Sequence, residues 1–264
     1  MILNGTQYNL PGYARVKIDG RLTCTFNGTE RCAWIGGPDG PRRDFSRELL
    51  TEYAESLTDT YWVLNVEHFG PDETGKLIDI LETVRFANPN LQIGVWSILP
   101  KSAYTVVANY AAYADFRSGR PHDARGMGWW AQPSNGPTIV AAYRGWQTDN
   151  ALTAAKLRPH IDFTCPSIYP VYEPPRDKPW MGAREPELMI AACRPLCPRL
   201  PCLPCWQPNL PGGGPRISDT YANTVMSAAM AKADGFMVWT DVFVPESEAA
   251  QSLDMATKFA TSEE

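Results

Sequence analysis

Short apolar runs alternate along this chain with longer stretches in which apolar residues recur every three or four positions. The runs predict buried strands and the longer stretches amphipathic helices. Residues 15–22 read as a first strand. Residues 45–57 follow as a helix, with Phe45, Leu49, Leu50, Tyr53, Ala54 and Leu57 on one stripe behind Asp44 as cap. Strand 61–67 precedes helix 73–87, which Asp72 caps and Asn88-Pro89 ends. Strand 91–98, a helix from Ser102 to Ala114, and an irregular Gly-, Pro- and Trp-rich loop over 115–136 come next. Helix 137–158, strand 161–169, a Pro-rich loop at 170–186 and a helix near 186–194 follow. Strand 200–206, loop 207–216, helix 218–233 behind Ser218, strand 235–241 and helix 247–260 complete the series. Residues 31–36 and 127–132 are candidates for further strands.

Strands alternating with helices of ten to fifteen residues predict an α/β fold with a parallel sheet. A single (β/α)8-like TIM barrel over residues 1–264, distorted or reduced to seven strands, fits best. A doubly wound open sheet is the runner-up, weakened because no Gly-rich phosphate loop follows the first strand. The same lack disfavours phosphate-sugar chemistry.

The strand ends carry polar and aromatic residues. In Tyr61-Trp-Val-Leu-Asn-Val-Glu-His-Phe-Gly-Pro71, alternation puts Asn65 and Glu67 on one face and Leu64 and Val66 on the other. Burying such groups without partners costs about 1–3 kcal/mol each, so they are expected to serve a site. The later strands end in Trp96 and Ser97, Ser167 and Tyr169 with Tyr172 beyond, Trp206 and Gln207, and Trp239 and Asp241. In a barrel these ends meet on one rim. A carboxylate for proton transfer, amides for hydroxyl groups and indoles for sugar faces suit a glycan. Glycosidic cleavage needs a proton donor, and a carboxyl such as Glu67 could serve only with its pKa raised by an apolar surround. Asn65 and Asp241 complete the catalytic candidates, and Trp96, Tyr169, Tyr172, Trp206, Gln207 and Trp239 those for substrate binding.

The chain carries nine Trp and eleven Tyr, which enlarges the supply of stacking faces, while its 24 Pro stiffen the loops. A net charge of −5 without a Lys/Arg block argues against nucleic acid. No 18-residue apolar run is present, so no membrane span is expected. The N-terminus lacks the charged-then-apolar pattern of a secretion signal. Extracellular, virion-associated and cytoplasmic settings stay open.

Several stretches resemble the hyaluronidase family of glycoside hydrolases. Asn65-Val-Glu67-His-Phe-Gly-Pro71 is similar to its Asp-x-Glu strand, and Val84–Pro100 to its helix-to-strand passage. Cys165-Pro-Ser-Ile-Tyr-Pro170 resembles its Pro-Ser-x-Tyr strand, and Gly235-Phe-Met-Val-Trp-Thr-Asp241 its closing strand. Chitinase-like and lysozyme-like barrels share the Asp-x-Glu pattern. The resemblance implies a barrel, a polysaccharide substrate, Glu67 as proton donor, and Tyr169 and Trp239 as substrate contacts. In the family the first acidic residue orients the substrate's acetamido nucleophile, but here that position is Asn65. An amide cannot stabilise a developing positive charge as a carboxylate does. Asp241 or Asp19 would then supply a second carboxylate for a conventional acid/base pair. A barrel that binds glycan without cutting it is the alternative.

Only His68, His122 and His160 occur, scattered along the chain, so no His-based triad or metal site is expected, and no cofactor is implied. Four of the seven cysteines fall at Cys193, Cys197, Cys202 and Cys205. Their spacing is shorter than a zinc ribbon's and the last pair falls in a predicted strand, which favours free structural thiols or one disulfide over zinc. Cys24 and Cys32 flank Asn27-Gly28, a hairpin-turn dipeptide, and could pair in an oxidising compartment. Asn4-Gly-Thr6 and Asn27-Gly-Thr29 match glycosylation acceptors. Gly212-Gly213-Gly214 reads as a flexible loop over the cleft.

Overall fold

In the computed structural model, parallel strands close on themselves and helices pack around them. It describes residues 1–19, 21–26, 29–35, 46–65, 73–101, 103–122, 132–168, 184–208, 216–240 and 244–261. The strands are β1 (Ile2–Asn4), β2 (Ala14–Asp19), β3 (Arg21–Phe26), β4 (Thr29–Ile35), β5 (Tyr61–Asn65), β6 (Gln92–Trp96), β7 (Phe163–Cys165), β8 (Cys205–Trp206) and β9 (Phe236–Val238). The helices are α1 (Arg47–Ser56), α2 (Thr74–Ala87), α3 (Tyr104–Arg117), α4 (Gly136–Leu157), α5 (Arg184–Leu196), α6 (Asp219–Met230) and α7 (Glu246–Thr261).

Seven of the strands pair in parallel in the order β7-β6-β5-β2-β1-β9-β8. Single parallel bridges, Thr164 to Cys202 and Ser167 to Cys205, join β7 to β8 and complete the ring. A distorted seven-stranded TIM barrel results, and the open doubly wound sheet is excluded. β3 and β4 stand apart as an antiparallel hairpin. Residues 31–35 of the segment 31–36 therefore belong to a hairpin outside the ring, while the segment 127–132 lies, except for Gln132, outside the described residues. The N-terminal strand β1 was not expected. It is three residues long, too short to show a period, yet it pairs with both β2 and β9.

Strand register decides what faces inward. Leu3, Val16, Val63, Trp96, Phe163, Cys165, Leu203, Cys205 and Met237 pack together inside the barrel, with Ile18, Tyr61 and Trp239 against them. The alternate residues Trp62, Leu64, Ile93 and Val95 pack outward with Leu50, Leu77, Leu81 and Val84 of α1 and α2. β5 and β6 are thus apolar on both faces, as a helix-covered parallel sheet requires, whereas β2 carries Arg15 and Lys17 at its alternate positions. At the N-terminal end of the barrel the Phe163 ring occupies the space left by Gly94, and Tyr61 meets Phe163 edge-on at 6.1 Å.

Two aspartates tie the N-terminal ends of the strands. Asp162 accepts from Ile93 N and from Arg85, both at 2.8 Å. Asp234 accepts from Cys202 N at 2.7 Å and pairs with Arg194 at 2.9 Å, while its carbonyl accepts from the N-terminal amine. At the opposite end, α4 holds the segment leaving β6. Trp146 Nε1 donates to Lys101 O at 2.7 Å, and Lys101 N donates to Asn150 Oδ1 at 2.6 Å.

The caps differ in detail from expectation. Ser46, not Asp44, caps α1, its hydroxyl accepting from Leu49 N. Glu73, not Asp72, precedes α2, with no side-chain capping bond. Ser218 caps α6 as its spacing predicts. Asn4 is fully buried, accepting from Thr6 and donating to Tyr8 O, so it is closed to glycosylation in the folded chain. In the hairpin, Cys24 pairs with Arg31 and Cys32 with Thr23, so the two cysteines are not cross-strand partners. No helix among the described residues is long and apolar enough to cross a membrane.

Candidate active site

Seven parallel strands place their C-terminal ends on one rim, and inward register selects the side chains presented there. On β5, Val63 faces the interior, and Asn65, two residues on, shares its face. On β6 that position is Trp96, directly paired with Asn65 in the register. Cys205 faces inward from β8, and Gln207 follows on the same face. Met237 faces inward from β9, and Trp239 follows. Trp239 N donates to Trp206 O at 2.9 Å, which fixes β9 against β8 at this level.

Two diagonals cross the mouth. Three strands separate β6 from β9 around the ring, and the Trp96 and Trp239 ring centroids stand 6.4 Å apart with planes tilted 34°. A sugar held between two rings needs about 7–8 Å, twice a carbon contact distance. The indoles therefore touch each other and form a continuous floor. The second diagonal is polar. Asn65 and Gln207 stand on β5 and β8, again three strands apart. Neither Asn65 Oδ1 nor Gln207 Nε2 has a hydrogen-bond partner, although both atoms are buried. Trp96 is 5% exposed and Gln207 1%, whereas Asn65 and Trp239 are half-buried.

Ser97 leaves the barrel directly after Trp96 with φ of 65°, a left-handed conformation that strains a residue with a side chain. Its N–H donates to Cys165 O at 3.2 Å, anchoring the kink to β7. The kink turns the chain outward just past the indole. Ser167, fully buried at the end of β7, bridges to Cys205.

Of the sequence-predicted residues, the structure brings Asn65, Trp96, Gln207 and Trp239 to this mouth. Trp206 is a correction. It is fully buried on the outward face of β8 among Ile190, Tyr221, Val225, Phe236 and Val238, so its ring supports helices and offers no face to a ligand. Glu67, Asp241, Tyr169 and Tyr172 lie outside the described residues, as do His68 and the Gly212–Gly214 loop. Asp19 occupies the register position paired with Leu64, which packs toward the helices. Gly5 escaped sequence reasoning. Paired through Gly5 N to Val238 O at 2.8 Å, it lets Ile18 pack close against the chain, since a Cβ there would stand 2.8 Å from Ile18 Cδ1. Its place after a three-residue strand gave no signal.

The cysteines do not gather into one site. Cys165 and Cys205 face the interior, Cys193 and Cys202 pack on the helix side, and Cys197 joins the α1–α2 core. All five are buried free thiols. Cys193 contacts Thr164 Oγ1 at 3.0 Å, and its neighbour Cys202, with burial added, pushes its pKa far up. Burial raises Cys165 well above its ordinary value and pushes Cys197 up to about 12. Among the described residues no group of His, Cys, Asp or Glu is arranged to hold a metal ion.

Neither a family model nor a curated protein sequence matches the chain. Among solved structures, bee venom hyaluronidase superposes with a TM-score of 0.52 at 10% identity, covering 93% of this chain and 85% of that one. The chain thus shares the barrel fold of that hyaluronidase. A GH18 chitinase from Pseudoalteromonas aurantia aligns over 96% of this chain and 99% of its own, at 13% identity and a TM-score of 0.49. At 10% identity the likeness to the hyaluronidase extends to architecture and not to individual residues.

Proposed function

We propose that this chain is a glycoside hydrolase that cleaves a polysaccharide by general acid/base catalysis, with Glu67 as proton donor. The observation that carries the reading is the barrel mouth itself, where an indole floor and two unpartnered amides lie together at the C-terminal ends of the strands. That end is where barrel enzymes hold their chemistry. Glu67 stands two positions after Asn65 in the sequence, the interval of one strand face. Asp241, two positions after Trp239, is the second carboxylate of the proposal, and Tyr169 and Tyr172 extend the sugar contacts. Asn65, where the resembling family has a carboxylate, turns the chemistry away from assistance by a substrate acetamide and toward an acid/base pair.

The Glu67→Gln variant tests this. Wild-type protein is expected to release reducing ends from at least one polymer of a glycan panel, and the variant to lose at least a hundredfold in rate while keeping its affinity. Release at the wild-type rate by the variant overturns the assignment of Glu67.

Asn65 also favours a second reading, a non-catalytic carbohydrate-binding barrel such as a surface or virion-associated adhesion domain. Under that reading wild-type protein binds oligosaccharide and releases no reducing ends from any polymer.

A further inference from the structure

Gln207 combines three properties that a purely structural residue does not combine. It is 1% exposed, it stands on the inward face of β8 at the barrel mouth, and its amide nitrogen has no partner. Leaving a buried donor unmade costs about 1–3 kcal/mol, and a glutamine kept for packing alone would be better replaced by an apolar side chain of the same length. Trp206 Nε1 and Thr240 Oγ1 are also buried and unpartnered. The Trp206 indole, however, packs wholly among helix-side residues, and Thr240 falls on the outward alternation of Val238. Gln207 alone among these three shares the face of the Trp96–Trp239 floor. Across the mouth, Asn65 Oδ1 is an acceptor in the same condition.

We infer that Gln207 is a specificity-determining residue, whose amide donates to an oxygen of an uncharged sugar ring seated on the Trp96–Trp239 floor while Asn65 accepts from a hydroxyl or amide of the same ligand. This rests on the glycan reading above and names the substrate class within it. Both groups are neutral. A uronate carboxylate would forgo the strong charge-assisted bond that a cation supplies, and the chain's net charge of −5 repels a polyanion. A hydroxyl-bearing ring satisfies one donor and one acceptor without bringing a charge into a buried site.

The test is thermal unfolding and titration calorimetry of the full chain with three probes: chitohexaose, cellohexaose and a hyaluronan hexasaccharide. Wild-type protein is expected to bind at least one uncharged probe at least tenfold more tightly than the hyaluronan probe. Gln207→Met is expected to melt at the wild-type temperature or above it, and to bind that uncharged probe roughly tenfold more weakly. Gln207→Glu supplies a readout that a packing role would not move. Its carboxyl donates only when protonated, so affinity is expected to rise as the pH is lowered from 7 to 5, with wild type flat over that range. A lower melting temperature for Gln207→Met, or unchanged affinity in it, overturns the role of Gln207 and leaves the glycan reading standing. Preference for the hyaluronan probe overturns the uncharged class. Failure of wild-type protein to bind any probe or any polymer of the panel overturns both readings together.

Discussion

Gly94 and Trp206 show how a single position is held by its surroundings. A Cβ on Gly94 would stand 2.6 Å from Phe163 Cζ, inside a ring that also meets Tyr61. The Phe163 ring has little room to retreat, because it is 2% exposed inside the N-terminal end of the barrel. Gly94→Ala is therefore expected to cost about 1–3 kcal/mol in denaturant unfolding, the range for forcing an extra carbon into a packed core. Trp206 makes the opposite case. Its indole is wholly buried against α5, α6 and β9, so Trp206→Ala is expected to lose about 3–5 kcal/mol of stability. Glycan affinity measured at a temperature where the variant stays folded is expected to match wild type. A selective loss of binding would return Trp206 to the site.

Among the elements, helices were the more legible. Long apolar stripes in α1, α2 and α4 revealed themselves through their period, and their ends moved by one or two residues where a cap lay nearer than Asp44 or Asp72. Most ring strands were located, though not β1, and only β5 was assigned its two faces. The run 200–206 announced a strand, yet it pairs in the ring through only Cys205 and Trp206 plus single bridges. Reading Trp206 and Gln207 as joint rim residues ignored alternation, which the inward series Leu203, Cys205, Gln207 would have exposed. The ties between strand ends were not legible at all, since Asp162 and Asp234 look in sequence like ordinary loop acids. Burial alone would raise the Asp234 carboxyl, but the Arg194 guanidinium and the Cys202 N–H outweigh it and hold the carboxyl below its ordinary value. A carboxyl lowered in the folded state binds fewer protons there than when unfolded. Its stabilisation is complete above the unfolded value of 3.8 and disappears as the pH falls through the lower folded value. Asp234→Asn is thus expected to lower stability at neutral pH, by about 1 kcal/mol or less because the side chain is 44% exposed. The gap between variant and wild type should close below about pH 4 in urea unfolding followed across pH. A gap that persists unchanged at pH 2–3 would show that the carboxylate's charge is not what ties β8 to β9.

At the scale of the whole barrel, thiol chemistry reports how tightly the ring is shut. Cys165, Cys193, Cys197, Cys202 and Cys205 sit in three different packing regions, inside the barrel, on the helix side and in the α1–α2 core. Each is at most 1% exposed. Alkylation needs both access and thiolate; the fold withholds access from all five and holds the pKa of Cys165, Cys193 and Cys197 above the ordinary thiol value. A thiol pushed up to about 12, as Cys197 is, keeps only about one molecule in 10⁴ to 10⁵ ionised near neutral pH. Labelling of these five must therefore pass through opening of the structure, and its rate reads the free energy of that opening. Iodoacetamide mass spectrometry on native protein is expected to leave all five unmodified over hours, and in guanidinium to modify all five within minutes. Cys193 and Cys202 line the junction where isolated bridges, and not a continuous ladder, join β7 to β8. If the barrel opens anywhere short of global unfolding, these two should react first and as a pair. Uniform reactivity of all five at one rate, equal to that of global unfolding, would instead show that the β7–β8 junction is as cooperative as the rest of the wall.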